Sequence, residues 1–225
     1  MILSDKKEIE VRYEVEGNEI KLTPGIVQNY IVGSDSKITM QEFKFFTELC
    51  KARKLNPFLK EVYCIKYGDA PAQIVVGKDV FVKRAAKNPY YNGKETGIIV
   101  LSLDGEVVER KGCFSLPEET IIGGWARVFV KDREHPEYMA VSFSEVAGKK
   151  KDGRLNSNWE NKPATMVEKV AKVRALREAF PDEFNGMYIQ EELGLESIIE
   201  TTPEQVEEEL VEAEVVNLRE LEDEK

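Results

Sequence analysis

The 225-residue chain is poor in the residues that most often carry chemistry. It has three cysteines, Cys50, Cys64 and Cys113, and one histidine, His135. Three is an odd number, and gaps of 14 and 49 positions fit neither a disulfide framework nor a paired zinc knuckle. A reducing cytoplasm is the expected setting. His135 lies in the turn-like stretch KDREHPEYM, where nothing local supports a Ser-His-carboxylate triad. No run of about 18 uncharged apolar residues exists to span a bilayer, so a membrane role is not expected. The opening MILSDKKEIEVRYEVEG has no apolar signal core, so secretion is not indicated. Neither GxGxxG nor GxxxxGK[ST] occurs, and the Gly-Lys pairs at 77–78 and 148–149 lack the upstream spacing of a nucleotide cradle.

What the chain does have is charge, unevenly spread. With 32 basic and 42 acidic side chains it carries a formal net charge of -10. Residues 182–225 alone hold 16 acidic and 2 basic groups, so the preceding 181 residues sum to +4. Residues 1–36 hold 7 acidic and 4 basic groups, which leaves the middle, 37–181, at +7. The acidity belongs mostly to the tail, and the body has the charge of a polyanion binder. Three regions follow: an N-terminal β-like oligomerisation segment, 1–36; a core, 37–181; and an acidic helical extension, 182–225.

Periodicity fills in these regions. IEVRYEVEGNEIKLT alternates around Gly17-Asn18 and predicts a short hairpin, either an appendage or an oligomer contact. Thr39 followed by Glu42 forms a capping box, and Phe43, Phe46 and Cys50 share one stripe, predicting a helix over 40–54 that stops before Asn56-Pro57. EVYCIKYGDAPAQIVVG reads as two β runs around Gly68-Asp69, and KDVFVKRAAKN as a helix. TGIIVLSLDGEVVERKGCFSL, with its Asp104-Gly105 turn, and IGGWARVFVKDREHPEYMAVSFSEV form a β-rich centre. A helix starting near Pro163 carries Met166, Val170 and Val173 on a core-facing stripe, with Lys162, Thr165, Lys169 and Lys172 on a neighbouring face. Thr202-Pro203 opens a further acidic amphipathic segment, read either as a solvated face or as a docking element. The order is that of an α+β fold, a central antiparallel β-sheet or hairpins packed with helices.

The positive signal is for single-stranded nucleic acid. Lys78, Lys83, Arg84 and Lys87 lie in or beside a helix that also carries Phe81, with Tyr90 and Tyr91 following. Lys149, Lys150, Lys151 and Arg154 occupy a flexible-looking segment leading to Asn156, Asn158 and Trp159. Lysine and arginine neutralise phosphate whatever the sequence, and aromatic faces stack on any base. Phe81, Trp125 and Phe129 read first as core aromatics; Trp159, among Asn, Glu and Lys, is divided evenly between cap packing and nucleic-acid contact. Arg127 and Lys131 alternate along a predicted strand toward the same groove. Scattered carboxylates such as Asp104, Glu109 and Glu137 form no compact constellation, so no metal is required and Mg2+ is expected at most to modulate binding.

The strings LNPFLKEVYCIKY, VVGKDVFVKRAAKNPYYNG, GGWARVFVKD and NSNWENKPATMVEKVAKVRALREAFP, in this order over 37–181, resemble the RecT/Redβ group of phage single-strand annealing recombinases, closest to its RecT-like branch. The resemblance implies a core related to other strand-annealing proteins, ATP-independent annealing of complementary DNA, and a homo-oligomeric ring or filament. It also implies, as partners, single-stranded DNA and the annealed intermediate, a phage exonuclease and the host single-strand binding protein, in the cytoplasm of a bacterial host. By the same resemblance Trp159, Lys162, Lys169, Lys172, Arg174 and Arg177 lie in the terminal core helix region where DNA contacts occur. Lys162, Lys169 and Lys172 are the foremost DNA candidates, and Arg174 and Arg177 are divided between DNA and carboxylate pairing. A metal-dependent DNA nuclease and an oligomeric adaptor are the competing readings.

Overall fold

Alternation of apolar and polar residues makes a strand only if one side finds something to bury against, and the first hairpin does. In the computed structural model, which describes residues 9–32, 37–150 and 152–193, β1 (Val11–Val15) pairs antiparallel with β2 (Asn18–Leu22). Tyr13, Val15, Ile20 and Leu22 turn inward and join the main core cluster, and the Tyr13 hydroxyl donates to the Leu55 carbonyl at 2.8 Å. The turn is centred on Glu16-Gly17, one residue earlier than the sequence pattern indicates. Both residues have positive φ, 50° and 83°, as a two-residue turn with the right-handed twist of its strands requires. A short helix α1 (Pro24–Ile26) and a π-helical turn (Val27–Ile31) follow.

Helix α2 (Met40–Arg53) begins with the predicted capping box: Glu42 N–H donates to Thr39 Oγ1 at 3.2 Å, and Thr39 N–H to the Glu42 carboxylate at 2.7 Å. It ends one residue earlier than expected, because Lys54 enters the left-handed region at φ 47° and its N–H closes the last turn on the Cys50 and Lys51 carbonyls. Asn56 then caps a separate 3-10 turn, Pro57–Leu59. Strands β3 (Val62–Ile65) and β4 (Gln73–Val76) form a second hairpin, and α3 (Lys78–Lys87) follows directly.

The centre of the molecule is a four-stranded antiparallel sheet in the order β6-β5-β7-β8, from β5 (Tyr91–Leu101), β6 (Val107–Lys111), β7 (Thr120–Val130) and β8 (Glu137–Ser142). Strand alternation sends Ile98, Val100, Ala126, Val128 and Val141 to one face, where they are buried. Against that face lies α6 (Pro163–Ala179), preceded by α4 (Phe143–Val146) and α5 (Ser157–Asn161) and followed by α7 (Pro181–Phe184) and a 3-10 turn, Gln190–Leu193. The contact is close enough that a Cβ at Gly124 would sit 2.6 Å from the Val167 carbonyl. The fold is α+β, with antiparallel sheets and helices, as the element order predicts.

Helix α6 is where the amphipathic picture needs correcting. Met166, Val170 and Val173 are buried as expected, but so are Val167, Glu168, Ala171, Ala175, Leu176 and Ala179, which lie around the whole circumference. The sheet covers one side, and α3, α5 and α7 pack on others, with Phe184, Met187 and Ile189 buried in the same core. A helix apolar all round is a central helix, so it has little free face on which to hold a row of cations. The amphipathic segment predicted from Thr202 lies outside the described residues.

Candidate nucleic-acid interface

Of the five cations on the terminal core helix, four are already paired. Lys169 Nζ lies 2.6 Å from Glu191, and Lys172 donates to both oxygens of Glu168 at 2.9 and 3.0 Å. Arg174 Nε reaches Glu192 at 3.4 Å. Arg177 also binds Glu192, donates to the Met187 carbonyl at 2.8 Å and lies over the Tyr188 ring at 4.7 Å. Only Lys162, exposed at the N-terminal end, has no carboxylate partner among the described residues.

The cations of α3 divide in the same way. Lys83 binds Glu16 at 3.1 Å and Glu61 at 3.0 Å, Lys87 binds Glu16, and Arg84 bonds the carbonyls of Arg53 and Lys54 and lies 3.6 Å from Glu183. These groups clamp the turn of the first hairpin and the end of α2 to α3; the two lysines draw the Glu16 carboxyl below its ordinary pKa. Lys78, in the first turn, is exposed and has no such partner among the described residues.

Two aromatic candidates turn away from any strand. Phe81 is fully buried, its ring 5.2 Å from that of Phe184. Trp159 is 1% exposed: its ring meets Phe143 edge-on at 5.5 Å and lies so close to Gly148 that a Cβ there would be 3.0 Å from the indole. The polar neighbours that make Trp159 look exposed in the sequence belong to the one-turn helix α5, whose cap, Asn156 Oδ1 accepting from Trp159 N–H, turns the indole inward. Neither ring offers a face to a base. Tyr91 is half-buried, its ring 6.3 Å from that of Phe180, whereas Tyr90 is exposed.

Arg127 faces away from α6. It sits one residue off the buried Ala126 and Val128, so it projects from the opposite side of the sheet, 4.6 Å from the Trp125 ring and 5.1 Å from Tyr138, with Glu109 at 2.8 Å. The groove expected to join Arg127 to the α6 lysines does not form, because the sheet lies between them. Lys131 Nζ donates to the Pro89 carbonyl at 2.7 Å.

The described residues of the lysine-rich segment are joined by backbone hydrogen bonds. Lys149 pairs with Leu155 in an antiparallel bridge, Lys150 N–H donates to the Arg154 carbonyl at 2.8 Å, and Gly153 supplies the positive φ of 83°. Arg154 binds Asp152, Asn158 is half-buried, and Lys151 lies outside the described residues. Lys149 and Lys150 are exposed with no ion-pair partner among the described residues. Lys149 and Arg174 are brought together across a cavity of about 260 Å³ that Ser144, Glu145, Glu191 and Glu192 also line.

Four sequence candidates therefore have neither a carboxylate nor a carbonyl on their ammonium among the described residues: Lys78, Lys149, Lys150 and Lys162; Lys131 is exposed too, but its ammonium is held by the Pro89 carbonyl. Lys78 and Lys162 stand at the N-terminal ends of α3 and α6, neither of which has a side-chain cap, so unpaired backbone donors lie beside each ammonium. The two helices pack together, and Cys113 lies beside Thr165 within electrostatic reach of Lys78, Lys172 and Glu168; burial, then Glu168, raises its thiol pKa. The residues that sequence reasoning missed are the carboxylates Glu16, Glu168, Glu191 and Glu192. Glu168 had a signal, being four residues before Lys172 on one helix. The others are long-range partners that no local pattern marks.

Among the described residues no group of three or more His, Cys, Asp or Glu side chains is arranged to hold a metal ion, and no helix is long and apolar enough to cross a membrane. The described body is an antiparallel α+β fold with a small set of exposed lysines that no carboxylate engages among the described residues. The model of the RecT family matches residues 17–209, most of the chain, and the protein belongs to that family. Among curated proteins none matches the chain. Membership supports a general role in single-strand DNA annealing and recombination.

Proposed function

We propose that the protein is an ATP-independent single-strand DNA annealing protein of phage homologous recombination, which oligomerises on DNA. The observation that carries this reading is the family match across residues 17–209, which takes in β2 and the whole basic body. The site we assign is the set of exposed lysines, Lys78, Lys149, Lys150 and Lys162, together with the uncapped ends of α3 and α6.

The mechanism is alignment without bond chemistry. Unpaired ammonium groups neutralise phosphates and release counterions, which lowers the repulsion between two strands. Contacts to the backbone carry no sequence information, so the base edges stay available and a complement supplies the discrimination. Base pairing provides the driving free energy, and oligomerisation extends the basic track so that short pairings persist long enough to lengthen. A phage exonuclease that produces single strands and the host single-strand binding protein are the proposed partners, in the bacterial cytoplasm.

Two end-labelled complementary strands, mixed without nucleotide after the protein is added to one of them, test the proposal. Accelerated pairing with both strands at full length is expected. Binding with no acceleration would reduce the protein to a single-strand binding module, and shortened strands would identify a nuclease.

A further inference from the structure

Exposed apolar side chains are ordinary when scattered and informative when they gather. Among the described residues they gather in two places of unlike charge. At the tip of the β5–β6 hairpin, Leu101 and Val107 face each other in register, both exposed, and Leu103 in the turn between them is 74% exposed. Exposed Leu116 is fastened by two bonds to Glu119, whose neighbour Thr120 pairs with Leu101. Asp104, Glu106 and Glu118 are exposed there with no ion-pair partner among the described residues, and residues 101–108 and 113–119 contain no lysine or arginine. The second place is the outer side of α2 and the turn after it, where Phe45 is 65% and Leu59 64% exposed and Phe58 is exposed beside them. Its cations Lys44, Lys51 and Lys54 are exposed without an ion-pair partner among the described residues, against one such acid, Glu48. The two surfaces stand toward opposite ends of β5, eleven residues and roughly 33 Å long: the tip follows Leu101, whereas α3 packs at the Tyr91 end and Arg84 ties it to the Arg53 and Lys54 carbonyls.

We propose that the acidic, apolar hairpin tip of one copy docks on the basic, apolar outer side of α2 in a second copy of this chain. The joint rests on the oligomerisation in the proposed function and gives it two named surfaces. Like charge opposes tip against tip and α2 against α2, and opposite charge favours tip against α2. A contact between unlike surfaces is heterologous, so it repeats from copy to copy into a ring or a helical filament and does not close as a two-fold dimer. Each surface is smaller than the roughly 20–30 residues a side of a stable interface, so the joint is weak between free copies. Copies held on one DNA strand make it as an effectively intramolecular contact, and assembly follows the strand.

The test is a charge swap in the full chain: a tip variant, Asp104→Lys with Glu106→Lys, and an α2 variant, Lys44→Glu with Lys51→Glu, compared with the parent by sedimentation velocity with and without a long oligothymidylate, and by a thermal melt. Each variant alone is expected to need at least about a tenfold higher concentration to assemble. An equimolar mixture of the two should recover parental assembly, because every reversed surface then meets its complement on the other protein. Their net charges, -6 and -14 against -10, are both negative, so bulk attraction does not pair them. Single variants that assemble like the parent overturn the proposal. A mixture that stays apart also overturns it, in favour of another acidic occupant of α2, the chain's own tail included. Should either variant melt early, Leu103→Gln decides: it must weaken assembly at a parental melting temperature, and parental assembly overturns the proposal. A parent that stays monomeric with and without DNA overturns it as well. A parent that assembles through these surfaces but does not accelerate annealing overturns the functional reading and leaves the joint, whereas a parent that anneals while both variants assemble normally overturns the joint alone.

Discussion

Charge at a single residue acquires meaning only from its partners. Glu42 is the clearest case: the Thr39 N–H, the Lys66 ammonium at 2.9 Å and the Ala72 N–H at 2.9 Å hold its carboxyl down at about 2, against an ordinary 4.5. A carboxyl with a depressed folded-state pKa contributes stability that is complete above its unfolded value and is lost as pH falls toward the folded one. Stability should therefore decline between about pH 4.5 and 2 by on the order of 3 kcal/mol at this site. In Glu42→Gln that portion of the acid dependence should disappear, while loss of the charged bond between Glu42 and the largely buried Lys66 destabilises the protein at neutral pH. Urea unfolding of both proteins across that pH range checks the pair of effects. The same reasoning separates the lysines: Lys83 and Lys162 carry equal formal charge, but two carboxylates engage Lys83 and none among the described residues engages Lys162.

Elements were legible in the sequence to the extent that their causes are local. The capping box of α2, the Asp104-Gly105 turn and the Met166, Val170 and Val173 stripe act over a few residues, and each is present. The rest was set by distant packing. Lys83 and Lys87 meet Glu16 across 67 and 71 positions, and α6 is enclosed by elements drawn from both sides of the sequence. A stripe of three apolar residues identifies one buried side of a helix but cannot reveal that the other sides are covered too. The sheet contact of α6 gives a direct check. Gly124 admits the helix backbone to within a distance that a methyl group would occupy, 2.6 Å from Val167 O. Gly124→Ala should push α6 off β7 and cost on the order of 2 kcal/mol or more, seen as a lower midpoint in thermal denaturation. An unchanged midpoint would mean that the helix moves freely over the sheet.

For the whole molecule, composition established the uneven distribution of charge but not which charges are available. Body cations are widely neutralised by body carboxylates and by Glu191 and Glu192 of the segment after α7, and this pairing leaves the four exposed lysines as the candidate track. Reversing Lys162, Lys169 and Lys172 together, as the sequence pattern invites, would set carboxylates against Glu168 and Glu191 and confound binding with folding. The variant with Lys78, Lys149, Lys150 and Lys162 changed to glutamine breaks no ion pair among the described residues. Measured beside the parent in the annealing reaction, at matched salt and with its melting temperature recorded, it tests the central claim most directly. The account predicts a parental melting temperature, annealing slowed at least tenfold at moderate salt, and a salt slope of binding reduced by about 0.7 for each lysine that contacts phosphate. Parental annealing and an unchanged slope would contradict it and move the DNA track to another surface.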